Sequence, residues 1–175
     1  MLLSRDELVS ALLYEADRAR RLVMPLALIA IGLVEWDEPE SDLEQSGHDT
    51  ASLVFVKRMT RILRSFDSVG KWANGEFLLL LPGCAAAHAR TMAERLRDEV
   101  CAAPIEAAGR KWCVQACFGV ASCAGRSPVV VLGQTRNALQ EARAAGPGTI
   151  RSAPGAGSDS EALPIPVLPL EGLHW

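Results

Sequence analysis

A tight Ala73-Asn74-Gly75 turn between two short apolar segments, all within residues 64–82, constrains this chain more than any other feature. An Asn-Gly pair between apolar runs is the strongest short-range hairpin signal, because both residues tolerate the positive φ that a two-residue turn requires. The segment is therefore predicted to form two antiparallel strands with Asn74 and Gly75 at the tip. Just ahead of the first strand stands an Arg-x-x-Asp sequence, Arg64-Ser65-Phe66-Asp67.

Around the hairpin the periodicity alternates between helix and strand. Leu8, Ala11, Leu12, Glu15, Ala16 and Ala19 mark one face of a first helix, and Leu26–Val34 is a continuous apolar run of strand length introduced by Pro25. Asp49 or Thr50 is expected to cap a second helix with Leu53, Val54, Met59, Ile62 and Leu63 facing inward. After the hairpin come a helix over 85–100, a strand over 112–121, a helix over 129–145 and a short edge strand over 149–152. The order α-β-α-β-β-α-β-α-β predicts an α+β domain, with helices packed over a largely antiparallel sheet. No internal repeat is visible.

Composition fits one domain over residues 1–152 of the 175, with 49% hydrophobic residues for its core. A net charge of −3 gives no field for nonspecific nucleic-acid binding. The longest apolar stretch, 22–34, is too short to span a bilayer, and Arg5, Asp6 and Glu7 stand where a signal peptide would need an apolar run. A cytoplasmic location is expected. The five cysteines, Cys84, Cys101, Cys113, Cys117 and Cys123, contain no Cys-x-x-Cys pair and read as buried thiols rather than disulfides or zinc ligands. Residues 153–175 begin with linker composition and then alternate proline with aliphatics as far as Leu170, which favours an extended flexible tail. Its aliphatics and Trp175 also suit a peptide that docks on a partner.

The hairpin residues Ala73-Asn74-Gly75-Glu76-Phe77 resemble the signature of GGDEF domains, the diguanylate cyclase family. Other segments follow the family's order over roughly residues 4–152. Ala16-Asp17-Arg18-Ala19-Arg20-Arg21 running into Pro25 and the first strand is similar to its first helix and core strand, and Gly47-His48 to the pair that opens its next helix. Ala93-Glu94-Arg95-Leu96-Arg97 resembles its third helix, Val114 to Ala121 a later strand, and Arg136 to Gly146 its closing helix. The resemblance implies a ferredoxin-like, nucleotide-cyclase-like core.

It also implies an eroded catalytic site. The family joins two GTP molecules by phosphoryl transfer with divalent ions, held by an Asp at the end of the first strand and an acid at the third signature position. Here Gly32 and Val34 stand where Asp-x-Asp is expected, and Gly75 takes the third signature position. Glu76 remains, and Arg143 replaces a late lysine near the phosphates. Trp36-Asp37-Glu38-Pro39-Glu40 replaces a phosphate- and guanine-binding stretch, and Ser52 a second guanine-binding Asp. The acids over 35–44 read as a solvated loop rather than a cation site. Loss of one electrostatic partner in a transition state typically costs about 100- to 1000-fold in rate, so cyclase activity is expected to be absent, with no metal and no cofactor.

The Arg-x-x-Asp pair matches the family's inhibitory site for cyclic di-GMP. The resemblance therefore implies a receptor in which Arg64 and Asp67 bind the dinucleotide, Arg95 adds a second arginine, and Lys71 and Trp72 lend a phosphate contact and a stacking face. A guanidinium can bond bidentately to guanine O6 and N7 or to phosphate, whereas a carboxylate accepts from the Watson-Crick edge. The plain structural alternative is that Arg64 meets the last helix carbonyls and Asp67 caps a turn. His48 and His88 read as structural and solvated, and Lys57, Arg58, Arg61 and Arg64 as a solvated basic face. The competing reading is a nucleotide-independent scaffold that docks a protein through its surface and tail. Dimerisation about a ligand, frequent in the family, stays open.

Overall fold

The computed structural model describes residues 2–34, 42–107 and 109–155. The acids over 35–41 and the tail beyond residue 155 lie outside the described residues, as do the side chains of 42–46 and His48. The elements are β1 (Leu2–Leu3), α1 (Arg5–Leu22), β2 (Leu26–Val34), α2 (Asp42–Thr60), β3 (Ser68–Ala73), β4 (Glu76–Pro82), α3 (Ala86–Val100), β5 (Ile105–Ala107), β6 (Arg110–Trp112), β7 (Gln115–Ser122), α4 (Pro128–Ala145) and β8 (Ile150–Ser152). Six strands form one sheet in the order β1-β3-β4-β2-β7-β8. The three inner pairings are antiparallel, and only the edges, β1 on β3 and β8 on β7, are parallel.

Both faces of the sheet are covered, which explains why β2 and β4 read as unbroken apolar runs rather than alternating ones. On one face Ala27, Ile29, Ile31 and Leu33 pack with Ala51, Phe55 and Met59 of α2 and Ala89, Ala93 and Leu96 of α3. On the other, Leu26, Leu28 and Ala30 pack with Leu8 and Leu12 of α1 and Val131, Ala138, Leu139 and Ala142 of α4. Gly119 of β7 sets the distance of α4: a Cβ there would meet Leu139 N at 2.4 Å, so only glycine admits the helix backbone so close.

Helix α1 begins at a capping box, Ser4 N–H donating to Glu7 Oε2 at 2.8 Å while Ser4 Oγ accepts the Glu7 N–H at 3.4 Å. It ends at Val23, held left-handed at φ 52°.

Several elements depart from the sequence reading. Helix α2 starts at Asp42 rather than Asp49 or Thr50, and Gly47 is buried within it instead of opening it. The apolar period begins only at Ala51, so a pattern reading places the start too late. Its inward face is Ala51, Phe55, Val56 and Met59, while Leu53 is 65% exposed. Two residues correspond to about 200° around a helix, so Leu53 and Phe55 cannot share a face. The strand expected over 112–121 is two elements. Trp112 closes the separate β5–β6 hairpin, whose turn Gly109 permits at φ 72°, and β7 starts at Gln115. β1 was not foreseen because two residues carry no period. Among the thiols only Cys117 and Cys123 are buried; Cys113 is exposed. No helix among the described residues is long and apolar enough to cross a membrane.

Candidate functional site

The β2–β4 register places Gly32 directly against Glu76, and the β2–β7 register places Gly32 against Cys117. The Leu33 N–H donates to Gly75 O at 2.8 Å, which ties the hairpin tip to β2. Only Gly75 takes positive φ, 64°, whereas the Asn-Gly signal had promised it for both turn residues. A register shift between Lys71 and Ala73 accompanies the turn, and such a bulge supplies the local twist that a mirror-image turn would otherwise provide.

Glu76 is buried beside this tip and is not free. Its Oε1 accepts from Arg143 Nη1 at 2.6 Å, and its Oε2 lies 3.9 Å from Arg136 Nη2. Arg136 and Arg143 are seven residues apart on α4, two helical turns, so they share a face of that helix. The Arg136 guanidinium stands 5.4 Å from the Trp72 ring centroid, and that of Arg5 stands 4.5 Å from it. Trp72 thus contacts two guanidinia from α1 and α4, on the sheet face away from α2. It is not a stacking face beside Arg64. Arg136 Nε is buried without a hydrogen-bond partner among the described residues.

Arg64 and Asp67 lie toward the other end of the same hairpin. They precede Ser68, which pairs with Leu80, whereas the tip closes at Ala73 and Glu76. Five residue steps along β3 correspond to about 17 Å. The turn is closed twice: the Arg64 N–H donates to Asp67 Oδ2 at 2.7 Å, and the Asp67 N–H to Arg64 O at 3.1 Å. Asp67 therefore caps its own turn, as Asx residues do. Arg64 is exposed, with its guanidinium 5.9 Å from the Phe66 ring centroid and no ion pair among the described residues. Burial raises the Asp67 carboxyl above the ordinary aspartate value, against the opposing hydrogen bond from the Arg64 N–H and the Arg64 charge. The Cys84 thiol feels both Arg64 and Asp67, and burial pushes it up as well.

Lys71 is exposed on β3 opposite Phe77, three residues beyond Ser68, or about 10 Å along the strand. Arg95 on α3 pairs with Glu99 at 2.6 Å. The structure brings Arg64 and Asp67 into one turn and gives neither Lys71 nor Arg95 a contact with them.

Elsewhere, Arg58 is no solvated bystander. It donates to Val100 O at 3.3 Å, to Ala103 O and to Pro104 O at 3.0 Å, fastening the end of α3 to α2. His88 is exposed, as its helix face implied. An open cleft of ≈ 350 Å³ lies between Arg97, Cys101, Val114 and Gly148. Burial raises its Cys101 thiol to about 11, so the sulfur stays protonated and is no nucleophile at neutral pH. Sequence reasoning missed the pairing of Arg143 with Glu76 and the two guanidinia on Trp72. The i, i+7 spacing of the two arginines on α4 was the one available signal, and it does not identify their partners.

A sheet of this order, with helix pairs on both faces, defines a nucleotide-cyclase-like α+β domain. The sequence profile described as diguanylate cyclase, GGDEF domain, matches residues 1–149, and the chain belongs to that family. No curated protein matches the chain by sequence. Among solved structures it is similar to the GGDEF domain of YfiN (TpbB) from Pseudomonas aeruginosa, with 24% identity and TM-score 0.79 over 87% of this chain and 96% of that one. It is similar to the diguanylate cyclase SiaD from Pseudomonas aeruginosa, solved with its activator SiaC, at 25% identity and TM-score 0.79 over 87% of this chain and 59% of that one. It also resembles the coiled coil and GGDEF domain of DgcB from Caulobacter crescentus, solved with c-di-GMP, at 16% identity and TM-score 0.78 over 87% and 82% of the two chains.

Proposed function

We propose that this chain is a GGDEF-type signalling domain without cyclase activity, which receives cyclic di-GMP through Arg64 and Asp67 and passes the signal to a protein partner. The observation that carries this reading is that the two ends of the hairpin are committed differently. At the tip, the carboxylate Glu76 is engaged by Arg143, and Gly32 supplies no ligand beside it. At the far end, the Arg64 guanidinium is exposed and has no ion pair among the described residues, and Asp67 engages Oδ2 with the Arg64 N–H, leaving Oδ1 to accept from a guanine edge. Arg95 joins by leaving Glu99, an exposed pair worth about 0.3–0.5 kcal/mol, and Lys71 adds a phosphate contact from further along β3. The c-di-GMP complex of DgcB and the activator complex of SiaD motivate the ligand and the protein partner. In this reading residues 153–175 are a tail separate from the domain that helps dock the partner.

Titrating cyclic di-GMP into the full chain tests the reading. Saturable binding is expected, weakened roughly 10- to 100-fold by Arg64→Ala through loss of a bidentate contact. No binding heat at high ligand rejects it. A second reading, the nucleotide-independent scaffold, is favoured by one observation: Asp67 already has a structural task in capping its turn. A thermal-shift comparison separates the two, because a ligand that binds the native state raises its stability by mass action. A rise with cyclic di-GMP alone supports the receptor, silence with both it and GTP supports the scaffold, and turnover of GTP supports a working cyclase.

A further inference from the structure

A divalent ion needs several hard oxygen ligands converging on one point, because magnesium gives up water only for oxygens in near-octahedral geometry. The hairpin tip does not provide them. Gly32 brings no side chain to its pairing with Glu76, and among the described residues no group of three His, Cys, Asp or Glu side chains could hold a metal. A cation is nevertheless present. A Cβ built on Gly32 would lie 2.5 Å from Arg143 Nη2, 2.7 Å from Nε and 2.8 Å from Cζ. The volume that a side chain at position 32 would enter is filled by the Arg143 guanidinium, which also bonds Glu76 Oε1 at 2.6 Å.

We propose that Arg143 is a resident cation, lying over Gly32 and bonded to Glu76, that replaces the divalent ion at the hairpin tip, so that the described residues of the tip bind no such ion. The inference rests on the absence of cyclase chemistry in the proposed function, and not on the dinucleotide. Three features support it. Ala142, next to Arg143, is fully buried, and the close approach of α4 at Gly119 fixes the helix that carries the guanidinium. Glycine at position 32 leaves this space open to the guanidinium, and a Cβ there would require the flexible end of Arg143 to shift. Charge also opposes a second cation: the guanidinia of Arg136 and Arg143 both face the one Glu76 carboxylate, at 3.9 and 2.6 Å. Their field repels a metal ion where the family would attract one.

Thermal unfolding of the full chain in EDTA, Mg²⁺ and Mn²⁺ tests this. The wild-type Tm is expected to be the same in all three. Arg143→Ala lowers it by about 5 °C in EDTA, because Glu76 is left buried without its main partner. In the double variant Gly32→Asp/Arg143→Ala, two carboxylates face each other across the β2–β4 pair, and Mn²⁺ is expected to raise Tm. Any rise of the wild-type Tm with either ion overturns the proposal. So does an Arg143→Ala protein as stable as the wild type in EDTA, or a double variant that ignores Mn²⁺. Cyclic di-GMP binding is independent of all three outcomes, so failure here is distinguishable from failure of the receptor reading.

Discussion

Each end of the β3–β4 hairpin brings an arginine and an acid close together, the tip by borrowing Arg143 from α4, and the two ends use them in opposite ways. At the tip the guanidinium of Arg143 and the carboxylate of Glu76 are bonded to each other and half withdrawn from water, so their chemistry is directed inward and contributes to the fold. At the far end Arg64 faces solvent and Asp67 is joined to the backbone rather than to the guanidinium, so among the described residues the charged head meets only the Phe66 ring. An arginine-acid pair thus turns inward or leaves its cation exposed according to what the acid is bonded to.

Truncating one charged residue at each end separates the two ends most strongly. Glu76→Leu leaves Arg136 and Arg143 without their common anion and is expected to destabilise the fold by about 2–3 kcal/mol, whereas Arg64→Ala removes only an exposed cation-π contact of about 0.5 kcal/mol. Urea midpoints of the two variants check this. Equal midpoints would erase the distinction.

The same contrast shows what the sequence could reveal. The alternation of apolar runs with helical stripes was enough for the α+β order, because strands buried on both faces must be continuously apolar, as Leu26–Val34 is. The hairpin was legible because glycine at a tip answers a local backbone need. The clamp was not, since Glu76 and Arg143 are 67 residues apart and meet only when β2, β4 and α4 pack together. Nor was the early start of α2, whose first turns carry no apolar period. Around Arg64 the spacing identified the pair, yet the direction of the Asp67 carboxylate depends on a turn that spacing does not describe. Arg95 and Lys71 were grouped with it through the family resemblance, which carries no information on the Glu99 partner of Arg95 or on the position of Lys71 further along β3.

Acidity probes the Arg64–Asp67 end specifically. The folded carboxyl of Asp67 titrates above the ordinary aspartate value because burial disfavours its charge. The folded state therefore binds this proton more tightly than the unfolded state, and this group favours folding more as the pH falls through that raised value. Ligand affinity moves the other way, since a guanine edge needs the ionised carboxylate as acceptor. Cyclic di-GMP binding is expected to weaken on acidification starting above the usual aspartate range. Asp67→Asn removes that pH dependence and costs about 1 kcal/mol of turn stability. An affinity flat across the acid range would show that Asp67 takes no part.

Thiol labelling gives a smaller, local reading of the same end. Cys113 is exposed and should react first, while the buried Cys117 and Cys123 should react slowest. Cys84 lies between these extremes and within electrostatic reach of Arg64 and Asp67. Cyclic di-GMP is expected to slow labelling of Cys84 severalfold and leave Cys113 unchanged. Protection of Cys113 instead would move the ligand away from the Arg64 turn.

The smallest expected effect is a gain. Val23 closes α1 at φ 52° and ψ 44° and is 92% exposed, so a β-branched side chain is held left-handed with no packing to compensate. The Met24 N–H still reaches Ala19 O at 2.9 Å, so the cap itself is formed. The left-handed conformation costs an ordinary residue about 1–2 kcal/mol, and glycine is largely free of that penalty but loses more backbone entropy on folding. Val23→Gly is therefore expected to stabilise the domain by up to about 1 kcal/mol and to leave both ends of the hairpin unaltered. The urea midpoint should rise while cyclic di-GMP affinity and the Glu76→Leu penalty stay fixed. A change in either would mean that the end of α1 communicates with the hairpin, and that the two ends are not independent.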